Sequence, residues 1–97
     1  MVEPEKQLES LEADRELIRK TKQGNLHSFE ELVKKYQKNI YRLAFRMTRD
    51  HDTADDLAQE TFVKAFTSIK SFKEEHSFYP WIFRICMNLS INYLKIG

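Results

Sequence analysis

The sequence predicts an all-α protein, a compact bundle of three to four helices, and two observations carry this prediction. The 97 residues include only two glycines (Gly24 and Gly97) and two prolines (Pro4 and Pro80), so neither residue interrupts 25–79. A sheet protein would need turn residues about every 8–12 positions. The second observation is a sustained helical period among the apolar residues in the middle of the chain. A chain of this length is expected to form one domain with a single core.

The first helix is expected to be short. Residues 1–13 are predicted to form an acidic, flexible segment, and the folded domain is predicted to span residues 14–97. Asp14 can cap a helix that runs to Gln23, and Gly24 suits the left-handed position that follows a helix.

The second helix is predicted to begin after Asn25, which also caps helices well, and to end near Arg49 and Asp50. Its apolar residues follow one another at intervals of one, three or four positions, which is a 3.6-residue period. They are Phe29, Leu32, Val33, Tyr36, Ile40, Leu43, Ala44 and Met47.

Two further helices complete the predicted bundle. The third opens at Asp52 or Thr53, because acids are favourable at a helix N-terminus. Its inward residues are Leu57, Ala58, Thr61, Phe62, Ala65, Phe66 and Ile69. A loop is expected over residues 71–77. The fourth helix begins near Ser77 with Pro80 in its first turn, and its inward residues are Phe78, Trp81, Ile82, Ile85, Leu89 and Tyr93.

Charge is segregated along the chain although the net charge is only +1. Residues 17–49 carry nine basic and two acidic groups, whereas residues 50–63 carry five acidic and no basic groups. Blocks of opposite sign suggest surfaces for more than one partner.

The second helix carries a basic row opposite its apolar stripe. The row consists of Lys34, Lys38, Arg42, Arg46 and Arg49. No acid interrupts it, and its length of about 20 Å would allow it to follow the phosphates of a nucleic-acid strand. A solvated helix face is the competing interpretation.

The third helix presents the opposite chemistry. Asp56, Gln59, Glu60 and Val63 share the face turned away from its core stripe. An exposed valine beside two acids and an amide is typical of a small protein-docking patch, but an ordinary acidic first turn is also consistent with it.

Five of the aromatic residues are concentrated between positions 72 and 83. Periodicity buries Phe78 and Trp81 but places Phe83 on the far side of the helix, while Phe72 lies where the third helix passes into the loop. Aromatic rings with Lys64, Lys73, Arg84 and Asn88 nearby suit the stacking and edge recognition of unpaired bases. A large aromatic core is the alternative.

The residues give little support for an enzyme, a metal site or a bound cofactor, and none is expected. The three histidines lie on separate segments, the acids at 52–60 lack a calcium-binding loop, and no glycine-rich phosphate loop is present. The single cysteine, Cys86, excludes a disulfide within the chain and favours a reducing, cytoplasmic setting. No apolar run approaches the roughly 20 residues of a membrane span, and no signal peptide is apparent, so membrane insertion is not expected.

Two runs of the sequence resemble conserved region 2 of bacterial sigma factors. Residues 52–66 read Asp-Thr-Ala-Asp-Asp-Leu-Ala-Gln-Glu-Thr-Phe-Val-Lys-Ala-Phe, and residues 78–94 are similar to the promoter-reading helix of the extracytoplasmic-function (ECF) group. Residues 24–36 fit that group too. The resemblance extends over residues 14–96.

This resemblance implies a role in transcription initiation and assigns residues to it. The face formed by Asp56, Gln59, Glu60 and Val63 would dock on the clamp helices of the RNA polymerase β′ subunit. A base flipped from the non-template strand of the promoter −10 element would enter a pocket formed by Lys64, Ser68, Phe72, Ile85 and Asn88. The backbone of the strand would contact Lys38, Arg42, Arg46, Arg49, Lys73 and Arg84. The resemblance also implies a monomer and an anti-sigma factor as a further partner.

The sequence also departs from the family pattern. Members usually continue into a second domain that reads the −35 element, and this domain is expected to be absent here. Asn92 stands where an acid is frequent. An alternative function is a helical adaptor that binds proteins through its acidic and apolar faces and does not bind DNA.

Overall fold

The computed structural model describes residues 4–73 and 75–96, which form four α-helices and one 3₁₀ turn, with no strand among them. The helices are α1 (Pro4–Lys22), α2 (Leu26–Thr48), α3 (His51–Ser68) and α4 (Phe78–Ile96), and the 3₁₀ turn spans Ile69–Ser71. Helix α2 is central, because it packs extensively against each of the other three helices, whereas α4 touches α1 only slightly. The all-α prediction is confirmed.

The structure corrects the prediction for the first helix. Helix α1 begins at Pro4, so the expected irregular segment is helical over residues 4–13. Asp14 does not cap the helix but lies buried in its interior. Its carboxylate accepts hydrogen bonds from Lys35 Nζ (2.7 Å) and from the Tyr36 hydroxyl. These partners are more than 20 positions away on α2, so the local pattern of charge could not reveal them.

Burial and the hydrogen bond to the Asp14 carboxylate raise the pKa of the Tyr36 hydroxyl, which therefore keeps its proton and remains a donor. Lys35 Nζ also donates to the hydroxyl of Ser10 (2.7 Å). Together these contacts hold α1 against α2.

The turn between α1 and α2 follows the prediction. Gly24 adopts a left-handed conformation with φ 98°, and its N–H donates to the Thr21 carbonyl (2.9 Å). The Asn25 side chain then caps α2 by accepting from the Ser28 N–H (3.1 Å). Glycine reaches this conformation without the steric cost of a Cβ atom.

Helix α3 begins at His51, one or two positions before the expected start, and Asp50 caps it. Its carboxylate accepts from both the backbone N–H (2.9 Å) and the hydroxyl (2.7 Å) of Thr53. These two hydrogen bonds lower the pKa of Asp50 because they favour its charged form. The C-terminus of α2 ends on Arg49 in the left-handed region (φ 58°), which turns the chain into α3.

The core forms between the facing stripes of the four helices and contains most of the residues that the helical period selected. Two of these residues differ from the prediction, because Phe66 and Tyr93 are 42% and 45% exposed. Cys86 is fully buried and adds to the core. Phe66 lies at the margin of the α3 stripe and packs edge-on against Phe29, with ring centroids 5.0 Å apart.

Candidate functional site

A groove of about 590 Å³ lies between α2 and α3, and we call it the α2–α3 groove. Its α2 wall and its α3 wall contribute both apolar and charged side chains. The lining residues are Val33, Gln37, Lys38, Tyr41, Arg42, Asp55, Ala58, Gln59, Phe62 and Val63. Cations on one wall and an acid on the other give the groove a mixed electrostatic character.

The residues expected to bind polymerase are all exposed on α3. Gln59 and Val63 line the α2–α3 groove, whereas Asp56 and Glu60 do not line it and lie one turn apart outside it. Gln59 Nε2 donates to Asp55 Oδ2 (3.0 Å), which holds the amide along the rim. The expected patch therefore divides into a groove part and an outer part.

Two apolar side chains make this face of α3 unusual. Val63 is 63% exposed, and Phe66, one turn later, is 42% exposed. Sequence analysis missed Phe66 because it assigned this residue to the core stripe. The sequence did contain an indication of its exposure, because Phe66 lies at the margin of the apolar stripe and one turn from Val63, which was placed on the outward face.

A stack of three rings closes the corner between α2 and α3. The rings of Phe45 and His51 lie 4.5 Å apart between centroids, and Tyr41 donates to or accepts from His51 Nδ1 through its hydroxyl. Tyr41 also lines the α2–α3 groove, so this stack sets one end of the groove.

The basic row forms a ridge between two clefts. Lys38 and Arg42 line the α2–α3 groove, while Arg42 and Arg46 line a smaller cleft on the other side of α2. Arg49 lies at the turn beyond α2 and is exposed. The row is thus exposed as expected, but its members serve different clefts and do not form a uniform face.

We call the smaller cleft the α2–α4 notch. It has a volume of about 140 Å³ and is lined by Asn39, Arg42, Leu43, Arg46, Tyr79 and Phe83. Sequence analysis placed Phe83 outside the core but did not pair it with α2, and it missed Asn39 and Tyr79. The register between α2 and α4 is a tertiary property that the helical period of each helix does not contain.

The residues expected to form the base pocket lie on two helices that pack together. Lys64 and Ser68 are one turn apart on α3, and Ile85 and Asn88 are nearly one turn apart on α4. Lys64 and Asn88 are exposed, while Ser68 and Ile85 are half-buried. Lys73 and Arg84, expected near the strand backbone, are exposed as well.

Phe72 requires a correction. It is only 3% exposed, because its ring packs edge-on against Trp81 (centroids 4.9 Å apart) and Phe78 (6.1 Å). Lys22 Nζ also donates to its carbonyl (2.5 Å), which ties the loop to α1. A base cannot stack on a ring that these neighbours cover, so Phe72 belongs to the core.

The described residues offer little for catalysis or metal binding. Within them, no group of three or more histidine, cysteine or acidic side chains is arranged to hold a metal ion. Burial raises the pKa of the Cys86 thiol, which disfavours the reactive thiolate. None of the helices in residues 4–73 and 75–96 is long and apolar enough to span a membrane.

Comparison with known proteins identifies the family of the chain. The family model for sigma-70 region 2 matches residues 32–95. The chain is 40% identical over 81 residues to the ECF RNA polymerase sigma-E factor of Haemophilus influenzae, and the match covers 84% of this chain and 42% of that protein. The chain therefore spans less than half the length of the curated relatives that it matches.

Two solved structures share the fold. One is the NMR structure of an engineered region 2 of sigma E in complex with GTAAAA, with a TM-score of 0.80, 32% identity and 86% of each chain covered. The other is CnrH in complex with the cytosolic domain of CnrY, with a TM-score of 0.78, 30% identity, and coverage of 82% of this chain and 52% of that one. By sequence and by fold, the chain belongs to the sigma-70 region 2 family, with relatives among the ECF RNA polymerase sigma factors.

Proposed function

We propose that this chain is the domain of an ECF sigma factor that docks on core RNA polymerase and recognises the promoter −10 element through its non-template single strand. The observation that carries the proposal is the agreement, over 86% of both chains, with an engineered sigma E region 2 solved together with GTAAAA. This chain has two surfaces of different character, since one is apolar and acidic and another is rich in basic and amide groups.

Polymerase docking is assigned to α3 and the adjoining α2–α3 groove. Val63 and Phe66 expose apolar surface, and exposed apolar patches rimmed by polar groups favour protein contacts. Asp56, Gln59 and Glu60 surround this surface with acids and an amide. A helical element such as the β′ clamp helices can lie along such a groove, with its apolar residues against Val63 and its basic residues against Glu60.

Promoter recognition is assigned to residues of α3 and α4, two helices that pack together. Asn88 is exposed on α4, and its amide carries two donors and an acceptor, so it can pair with a base edge. Lys64 and Arg84 supply positive charge for the adjacent phosphates. Phe72 has no stacking role in this proposal, because its ring is covered. The remaining pocket residues are Lys64, Ser68, Ile85 and Asn88.

Several broader statements belong to the same proposal. The chain acts in the cytoplasm as a monomer, without a catalytic role or a cofactor, because polymerase performs the chemistry of transcription. An anti-sigma factor is the expected regulator, and it would compete with polymerase if it covers the exposed face of α3.

Competition binding tests the DNA assignment. We expect Asn88→Ala to flatten base preference at a single −10 position and to spare the others, because an edge contact discriminates only where it is made. Asn92→Ala is a matched control, since it removes an exposed amide one turn further along α4. The measurement uses single-stranded oligonucleotides substituted one position at a time. An even loss at all positions would show that Asn88 is structural and that the pocket lies elsewhere.

The adaptor alternative makes a different prediction for salt. Phosphate contacts require the logarithm of the DNA binding constant to fall with the logarithm of salt concentration, by about 0.7 per phosphate neutralised on a single strand. An adaptor has no such binding to lose. Absence of single-stranded DNA binding at low salt, with folding intact, would favour the adaptor.

A further inference from the structure

The α2–α4 notch combines three kinds of side chain that meet only through the packing of α2 against α4. Its walls carry two guanidinium groups (Arg42 and Arg46), two aromatic rings (Tyr79 and Phe83) and one amide (Asn39), over a buried floor at Leu43. Among the side chains that the structure describes, no acidic one lines it. This combination differs from the α2–α3 groove, where Asp55 faces the cations.

The two arginines are one turn apart on the exposed side of α2. Within the described residues, neither forms an ion pair or a side-chain hydrogen bond. Each guanidinium therefore keeps its planar set of donors available, and such a fork suits the oxygens of a phosphate.

The aromatic wall is held in place by its neighbours. Tyr79 stacks on Tyr36, with centroids 5.2 Å apart and the rings 13° from parallel, and Phe83 meets Tyr79 edge-on at 6.0 Å. Tyr36 is fixed in turn by its hydrogen bond to Asp14. Tyr79 and Phe83 are only half-buried, so each has ring surface left to face the notch.

The size of the notch limits what can enter it. At about 140 Å³ it is smaller than the cavities that hold drug-sized ligands, and it matches a single planar ring better than a folded element. Asn39 at its edge is exposed and can offer both donors and an acceptor to such a ring.

We propose that the α2–α4 notch binds one unpaired nucleotide, with its base against Tyr79 and Phe83, its base edge on Asn39 and its phosphate on Arg42 and Arg46. The proposal rests on the proposed function, because the nucleotide belongs to the same single strand. It adds a second base subsite. Asn88 lies about 140° around α4 from Phe83 by the helical repeat, so the notch and the expected base pocket are on different flanks of α4.

The chemistry favours a nucleotide over an acidic peptide. Carboxylates would use the arginines but would leave the ring surface and the amide of Asn39 without a role. A base uses all three, since stacking on aromatic side chains and contact with arginine are the usual means of holding unpaired bases. Stacking also tolerates different bases, so the notch contributes affinity more than sequence choice.

Abasic scanning of a bound oligonucleotide tests the proposal. Each oligonucleotide lacks one base but keeps every phosphate, and its affinity for the full chain is compared with that of the intact strand. We expect at least one position where base removal weakens binding by about fivefold or more. This penalty should shrink in Asn39→Ala and in Arg46→Ala, and it should persist in Asn88→Ala.

Two matched controls separate the notch from general electrostatics. Gln37→Ala removes an exposed amide two residues from Asn39, and Lys38→Ala removes a cation of the same basic row, but both residues line the α2–α3 groove instead. Both controls should keep the abasic penalty. Lys38→Ala should lower only the salt dependence, which all members of the row share.

The outcomes distinguish this inference from the proposed function. If Asn88→Ala changes base preference but Asn39→Ala leaves the abasic penalty unchanged, the notch does not bind a nucleotide and the proposed function stands. Equal effects of Asn39→Ala and Gln37→Ala would also overturn the notch. Competition by polyglutamate as effective as that of the oligonucleotide would identify an acidic-peptide site and reject the nucleotide. No binding of single-stranded DNA by the parent chain would reject both.

Discussion

Truncation of Phe72 separates a core role from a DNA-stacking role. We expect Phe72→Ala to destabilise the fold, because the ring is 3% exposed and is covered by Trp81 and Phe78. Burial of such a side chain contributes about 1.5–3 kcal/mol, and the cavity left behind adds to the loss. Two edge-on ring contacts add about 0.5–1.5 kcal/mol each.

The expected loss is therefore in the upper part of the usual range for Phe→Ala in a core, about 3–5 kcal/mol. A small domain has only about 5–15 kcal/mol of total stability. For a domain of this size the melting temperature should fall by roughly 4–8 °C for each kcal/mol lost. Urea unfolding followed by circular dichroism measures the change directly, provided that the slope with denaturant stays constant.

Two controls accompany this measurement. Phe72→Leu keeps most of the buried volume and should lose less stability. Phe66→Ala removes a ring that is 42% exposed and should lose less as well. An unchanged stability of Phe72→Ala together with weaker binding of single-stranded DNA would refute the argument, because it would mean that the ring is available to a base.

Three further predictions concern the helix ends and the contact between α1 and α2, and thermal unfolding checks each. Gly24→Ala should lower the free energy of unfolding by about 1–2 kcal/mol, because alanine is strained in the left-handed conformation of this residue. Steric clashes add nothing, since the added Cβ meets no atom within 4 Å. An unchanged melting temperature would contradict the left-handed conformation. Asp50→Ala should lower the melting temperature at neutral pH. The pKa of Asp50 is lowered in the folded state, so its contribution to stability is complete above the ordinary carboxyl pKa of about 3.9 and disappears as the pH falls through the folded value. A difference in melting temperature between parent and variant that grows in acid would be inconsistent with this. Asp14→Ala should lower the free energy of unfolding by about 1–3 kcal/mol, because the hydroxyl of Tyr36 and the ammonium of Lys35 lose their acceptor. An unchanged melting temperature would mean that other contacts hold α1 against α2.

The helices were predictable because their buried faces and their ends are determined by residues close together in the sequence. The apolar period of α2 identified its buried face, and Asn25 and Gly24 marked the turn before it. The start of α1 was not predictable, because Asp14 has the composition of a cap but is satisfied by Lys35 and Tyr36 on another helix.

The site was predictable only in part, for a related reason. The outward face of α3 follows from periodicity, so the exposure of Gln59 and Val63 was predictable. The burial of Phe72 depends on Trp81 and Phe78 closing over it, which requires the tertiary arrangement of the loop against α4. The α2–α4 notch likewise exists only where the two helices meet, and neither helix alone indicates it.

A titration with core RNA polymerase tests whether the chain docks through α3. Fluorescently labelled chain is titrated with core RNA polymerase, and Val63→Glu is compared with Leu8→Glu. The two side chains are similarly exposed, at 63% and 55%, but Leu8 lies on α1. We expect Val63→Glu to weaken binding about tenfold or more, because a charge is then placed in the apolar centre of the interface, and we expect Leu8→Glu to bind like the parent. Equal affinity of all three proteins, with their helix content unchanged, would contradict the assignment of α3 as the docking surface.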